Sequence, residues 1–149
     1  MPTDSISAWP LVRRGDKIFP VRPLQELLRA RGHSIAVDGS VGAQTESAVK
    51  AFQQNQGLTS DGIVGPATWP KLVVEVNQGS TGHAVRAVQE VMKFHDQSDG
   101  EGPPVQIDGT FGPRTAAWIR GFQTAVGTPS DGIVGPITWR ALVSGMLSG

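Results

Sequence analysis

The chain has 149 residues, 38% hydrophobic and 17% charged, with thirteen Lys and Arg balanced by thirteen Asp and Glu. That balance argues against a surface that holds nucleic acid through its phosphates, and a mean hydropathy of -0.14 with no long uncharged apolar run argues against a membrane-spanning helix. The lack of cysteine excludes disulfides, thiolate metal sites and a cysteine nucleophile, while 19 Gly and 11 Pro point to short elements joined by sharp turns.

Residues 1–8 (MPTDSISA) carry neither a basic n-region nor an apolar h-region, so no signal peptide is visible and a disordered tail is expected. A first module is expected over residues 9–73. Its first helix, 21–31, places Val21, Leu24, Leu27 and Leu28 on one face. Pro20 and Pro23 stand at or within its first turn, where a missing N–H costs little, and Gly32 suits its end. After an Asp38-Gly39 turn, a second helix over 43–56 turns Ala48, Val49 and Phe52 inward and stops at Gly57. After an Asp61-Gly62 turn, a short third helix over 66–73 begins on Pro66 and aligns Trp69, Leu72 and Val73. Ile35 and Val37, beside Ile63 and Val64, are candidates for a minimal strand pair.

The same order then returns over residues 74–149. Ser60-Asp61-Gly62-Ile63-Val64-Gly65-Pro66 recurs letter for letter as Ser130-Asp131-Gly132-Ile133-Val134-Gly135-Pro136. At that offset of seventy, Asp38-Gly39 matches Asp108-Gly109, Phe52-Gln53 matches Phe122-Gln123, and Thr68-Trp69 matches Thr138-Trp139. Upstream the offset is sixty-four: Val12, Gly15, Val21, Arg22, Gln25 and Glu26 align with Val76, Gly79, Val85, Arg86, Gln89 and Glu90. An insertion within residues 96–105 makes up the difference. The corresponding helices are expected over 83–95, 113–125 and 136–143. The fold class is therefore mainly α: two tandem three-helix modules with short extended segments and Asp-Gly turns. With only a few residues joining them, the two are expected to pack together.

The succession Asp-Gly-x-x-Gly-x-x-Thr, Phe-Gln-x-x-x-Gly and Asp-Gly-Ile-Val-Gly-Pro-x-Thr-Trp-x-x-Leu resembles the peptidoglycan-binding module, the three-helix domain of bacterial cell-wall hydrolases and spore-cortex enzymes. The opening of the first copy, Trp9-Pro10-Leu11-Val12-Arg13-Arg14-Gly15 and then Val21-Arg22-Pro23-Leu24-Gln25, is similar to that family's first turn and helix. Two local departures stand out. Lys17-Ile18-Phe19-Pro20 replaces the small stretch seen as Ser80-Thr81-Gly82 in the second copy, and the insertion in 96–105 is the other. The resemblance implies a non-catalytic module that holds wall polymer, usually attached to an enzyme.

The ligand-binding candidates in the first copy are Asp38, Gly39, Gln53, Asp61, Gly62, Thr68 and Trp69. In the second they are Asp108, Gly109, Trp118, Gln123, Asp131, Gly132, Thr138 and Trp139. The Asp-Gly pairs offer a carboxylate and backbone N–H groups to a peptide stem, although Asp commonly caps such a turn and Gly permits it. Trp69 and Trp139 either stack on a sugar or, as is commoner for Trp beside Leu at i+3, close a small core with the indole N–H on a carbonyl. Trp118 stands where the first copy has Ala48, so the shared scaffold does not require its size. Gln53 and Gln123 each follow an inward Phe and read as amides lining a groove at the core's edge.

No metal-binding or cofactor site is expected. His33, His83 and His95 lack ligand spacing, and the cluster of His95, Asp96, Asp99 and Glu101 lacks the ligand order of a calcium loop. No nucleophile or zinc-protease motif appears, and the paired carboxylates Asp38/Asp61 and Asp108/Asp131 sit in small repeated turns with little room for a glycosidase cleft. Residues 1–73, with eight basic to six acidic residues, are mildly basic, and the rest has five to seven. The expectation is a bacterial cell-wall or extracellular protein or fragment whose two modules hold peptidoglycan, at its stem peptide and adjoining sugar, in a shallow groove between helix 2, the Asp-Gly loops and helix 3. Neither nucleic acid nor membrane is expected as partner. The alternatives are a protein–protein adaptor on the same fold, or the wall-binding part of a phage or exported lytic enzyme.

Overall fold

The computed structural model describes residues 6–99 and 105–145, and of 96–99 the backbone alone. Six helices occur among the described residues: α1 (Val21–Ala30), α2 (Ala43–Asn55), α3 (Trp69–Leu72), α4 (His83–Asp99), α5 (Pro113–Val126) and α6 (Pro136–Val143). They fall into two groups of three, in the order the repeat predicts. Helix ends follow local chemistry. Gly32, at φ +94°, ends the first turn-back, and the His33 N–H reaches back to the Leu28 carbonyl at 3.1 Å. Gly127 caps α5 in the left-handed region, where a side chain would be strained. Helix α3 is shorter than the expected 66–73, because residues 66–68 form turns before the α-helix begins at Trp69. Helix α4 runs on to Asp99, past the expected end at His95.

Extended chain contributes only isolated bridges among the described residues. Val64 pairs antiparallel with Val12, through N–H···O contacts of 2.9 and 2.8 Å, and Val134 pairs likewise with Val76. The expected pairing of Val64 or Ile63 with Ile35 and Val37 does not form. The opening segment of each copy reaches the second Asp-Gly loop first and closes the module into a ring. A second closure repeats too: the Gly15 N–H donates to the Val41 carbonyl and the Gly79 N–H to the Phe111 carbonyl, both at 2.9 Å.

The buried apolar residues form one cluster that runs through both halves, and Trp69 and Trp139 are fully buried in it. Their indole N–H groups donate to the carbonyls of Pro10 (2.9 Å) and Val74 (2.8 Å), so each Trp ties its short helix to the start of its own module. Ile6 is buried with these apolar residues, while residues 1–5 of the expected tail lie outside the described residues.

The two halves meet along α1 and α4. In α4 the expected stripe of Val85, Val88 and Met92 is buried, and so is a second one, Ala84, Ala87 and Val91. The corresponding positions of the first copy, Pro20, Pro23 and Leu27, are buried as well. One stripe serves each module's own core, and the contact between α1 and α4 accounts for the other. Charged residues at equivalent positions cross this junction in both directions. Arg22 grips Glu90 with two contacts, of 3.0 and 3.1 Å, and Arg86 approaches Glu26 at 3.4 Å. The junction is thus nearly self-complementary, in the manner of a two-fold interface between identical subunits.

Candidate functional site

The polar candidates are joined by one arrangement that occurs four times. The Gln53 side-chain nitrogen donates to Asp61 Oδ1 (3.0 Å), the Ile63 carbonyl (2.9 Å) and Thr68 Oγ1 (3.0 Å), while its oxygen accepts the Gly62 N–H at 2.9 Å. Gln123 does the same with Asp131, Ile133, Thr138 and Gly132. Gln25 repeats it with Asp38, Ser40, Thr45 and Gly39, and Gln89 with Asp108, Thr110, Thr115 and Gly109. In each case a helix supplies a buried Gln directly after an apolar residue, and the following loop reads Asp-Gly-x-Val/Phe-Gly-x-x-Thr. Each module is therefore itself a doubled unit.

This geometry decides what several candidates do. All four amides are buried and have both their donors and their oxygen engaged, so Gln53 and Gln123 are staples that fasten loops to helices. Gly62 and Gly132 adopt φ +76°, which lets their N–H groups turn inward to the staple. Thr68 and Thr138 are buried acceptors of the same network. Asp61 and Asp131 each commit Oδ1 to the Gln and to the N–H two residues on, yet both side chains stay exposed. At Asp38 and Asp108 the N–H groups of Ser40 and Thr110, followed by the Gln25 and Gln89 amides, hold the carboxyl below the ordinary value of 3.8.

Two grooves in equivalent places bring part of the candidate set together. In the first half a groove of about 440 Å3 runs between the end of α2, the second Asp-Gly loop and the start of α3, with Leu11, Thr59, Asp61, Ile63, Pro66 and Ala67 among its walls. Its counterpart, about 310 Å3, has Glu75, Pro129, Asp131, Ile133, Pro136 and Ile137 in the corresponding places. Leu11 (66% exposed), Ile133 (37%) and Ile137 (44%) make up three of the four large apolar side chains that stand exposed among the described residues. The expected ligand-binding set is thus divided. Gln53, Asp61 and Thr68, and their counterparts, line these grooves, whereas Asp38, Gly39, Asp108 and Gly109 do not. Trp69 and Trp139 are sealed in the core, and no sugar reaches them there.

Trp118 also stands apart from the grooves. It is half-buried and stacks on Phe122 with ring centroids 5.3 Å apart, filling space beside His95. Of the carboxylates grouped with His95, Asp96 and Asp99 have no described side chain and Glu101 lies outside the described residues. The apolar rim escaped the reading of the sequence, although the Gly-Pro that begins each third-helix segment was a signal for it. Gln25 and Gln89 escaped it too, although the fourfold Asp-Gly-x-Val/Phe-Gly-x-x-Thr pattern marks their loops.

The family model for the peptidoglycan binding domain matches residues 20–72 and again 81–142. The chain belongs to that family. Both copies are members, and a non-catalytic binding role fits them. N-acetylmuramoyl-L-alanine amidase CwlL of Bacillus licheniformis is 31% identical over 90% of this chain and 45% of its own length. An uncharacterized protein in the bpoA1 3'region of Kitasatospora aureofaciens is 37% identical over 58% of this chain and 76% of its own. A crystal structure of a peptidoglycan-binding protein from Clostridioides difficile in complex with glutamine hydroxamate is 42% identical, over 45% of this chain and 42% of that one, with a TM-score of 0.43. The chain spans less than half of the amidase's length.

Proposed function

We propose that the two grooves hold peptidoglycan, each taking a stem peptide with its adjoining sugar, and that the chain serves as the wall-targeting part of a cell-wall or extracellular lytic protein. The observation that carries this reading is the correspondence of the grooves. The loop with Asp61 or Asp131, the following Ile63 or Ile133 and the Gly-Pro recur at matching positions, and each groove adds an exposed apolar side chain at a place of its own, Leu11 in the first and Ile137 in the second. A shallow groove with an apolar wall and a carboxylate, Asp61 in one and Asp131 beside Glu75 in the other, suits a polymer of sugar C–H faces and peptide N–H groups. Asp61 and Asp131 each retain an oxygen without a hydrogen bond among the described residues, and that oxygen serves as acceptor for a stem N–H. Two weak sites on one chain then act together, because the second engagement is intramolecular.

The test is co-sedimentation with purified, protein-free sacculi. Ala67→Asp and Ile137→Asp place a charge in one groove each, at exposed positions. Each is expected to weaken retention by roughly tenfold to a hundredfold, and the double variant to lose it, since linkage of this kind commonly multiplies affinity by about 100 or more. A double variant that melts normally and still sediments with the wall overturns the proposal, as does a parent protein that stays in the supernatant.

A further inference from the structure

The junction of the two halves carries a pair of clefts related by the same near two-fold symmetry, and they differ in kind. One, of about 360 Å3, is polar: Arg22, Glu26, Arg29, His83 and Arg86 line it beside Val37. In the other, of about 430 Å3, Lys93 and Glu90 take the places of Arg29 and Glu26, and Phe19 takes that of His83. The difference comes from residues 17–20, for which the second copy has no counterpart of similar bulk. Phe19 stacks on Phe94 of the other half, with ring centroids 4.3 Å apart, and these rings form an aromatic wall bridging the modules. Beside them Ile18 is 79% exposed, the most exposed large apolar side chain among the described residues. Lys17 and Lys93 flank the cleft, exposed and without an ion pair among the described residues, whereas Arg22 is occupied by Glu90.

We propose that this cleft docks an acidic segment of a partner protein, one bulky apolar side chain of which packs against Ile18, Phe19 and Phe94 while its carboxylates meet Lys17 and Lys93. Residues 17–20 in this form are not required to start the helix, because the second copy keeps the contact of Gly15 with Val41 as that of Gly79 with Phe111. It then enters its helix from Ser80-Thr81-Gly82 through a bridge of Thr81 with Thr110 that the first copy lacks among the described residues. With Glu90 neutralised by Arg22, the two lysines are the charges left to a partner, and an exposed apolar side chain beside an aromatic wall flanked by them marks an interaction surface that selects negative charge in its partner. A peptidoglycan stem brings carboxylates but no bulky apolar side chain, so it leaves the aromatic wall unfilled. The cleft is also composite, with Ile18 and Phe19 from the first half and Lys93 and Phe94 from the second, and it exists only while α1 and α4 stay packed.

Fluorescence anisotropy on the full chain tests this, using as probe a short labelled peptide of aspartates and glutamates around a single phenylalanine. Binding to the parent is expected, with the Asn/Gln version of the peptide at least about tenfold weaker. Lys17→Glu with Lys93→Glu is expected to weaken the acidic peptide by about tenfold or more, and Ile18→Ser by a few-fold, with melting and sacculus retention unchanged. Equal binding of acidic and neutral peptides, or no binding, overturns the proposal. So does loss of sacculus retention in these variants, which assigns the cleft to the wall. A concentration-dependent dimer abolished by Ile18→Ser also overturns it, by making a second copy of the chain the occupant.

Discussion

Set side by side, the two modules agree inside and disagree outside. Trp69 and Trp139, the four glutamine staples and the bridges of Val64 and Val134 occupy matching positions. On the surface, Leu11 faces Glu75 in the comparison, Ala67 faces Ile137, and Lys17-Ile18-Phe19 has no similar partner. Interior roles are set by packing and by saturated hydrogen bonds, which a small core cannot exchange. Exterior positions carry no such constraint and are free to differ. The junction lies between these extremes, because its two ion pairs use the same residues in unequal geometry.

The largest blow to the agreement falls on the core. Trp69→Ala and Trp139→Ala each remove a fully buried ring and orphan a carbonyl, at an expected cost of about 3–5 kcal/mol. Both variants are expected to lose their near-UV circular dichroism transition at lower urea by similar amounts. Normal unfolding curves with lost sacculus binding would return these residues to the groove and end the division between inside and outside.

Next come the staples. Gln53→Leu leaves the buried Gly62 N–H and the Thr68 hydroxyl without their partner, and about 2–3 kcal/mol is expected to go with it. Gln123→Leu should match it closely in chemical denaturation, since its four contacts differ from those of Gln53 by 0.1 Å or less. A Gln53 variant that keeps its stability but loses wall binding would show that the amide points to ligand instead.

How much of this was legible depends on the kind of contact. The repeat, the helices and their Gly and Pro boundaries could be read because each rests on local spacing or on backbone rules. Gln53 looked like a groove amide because a polar residue beside a buried Phe carries the same letters whether its partners are a ligand or its own loop. Only the loop folding back from Asp61 to Thr68 saturates it. Leu11 could not be read as a groove wall, since its place depends on Val12 pairing with Val64, fifty-two positions away. The second stripe on α4 was present as Ala84, Ala87 and Val91 at helical spacing, but alanines count weakly in an apolar pattern, and a module considered alone has nothing to cover them.

The smallest expected effect separates two ion pairs that sequence makes equivalent. Arg22 holds Glu90 through two contacts near 3 Å, and that hydrogen-bonded carboxylate, ahead of its charge, raises the guanidinium pKa. Arg86 meets Glu26 at 3.4 Å, and His83 Nδ1 lies 3.3 Å from the same carboxylate. Both Glu side chains are buried, and both Arg side chains are about half exposed, so solvent screens each attraction from one side. Removing the arginine leaves a buried carboxylate behind, and that desolvated charge sets most of the penalty. Arg22→Ala is therefore expected to cost about 1–2 kcal/mol, and Arg86→Ala about 0.5–1 kcal/mol because His83 remains beside Glu26. Double-mutant cycles with Glu90→Gln and Glu26→Gln, read by urea denaturation, should give the larger coupling to Arg22. Equal couplings would mean that the junction is as symmetric in energy as it is in sequence, and that His83 adds nothing to the second pair.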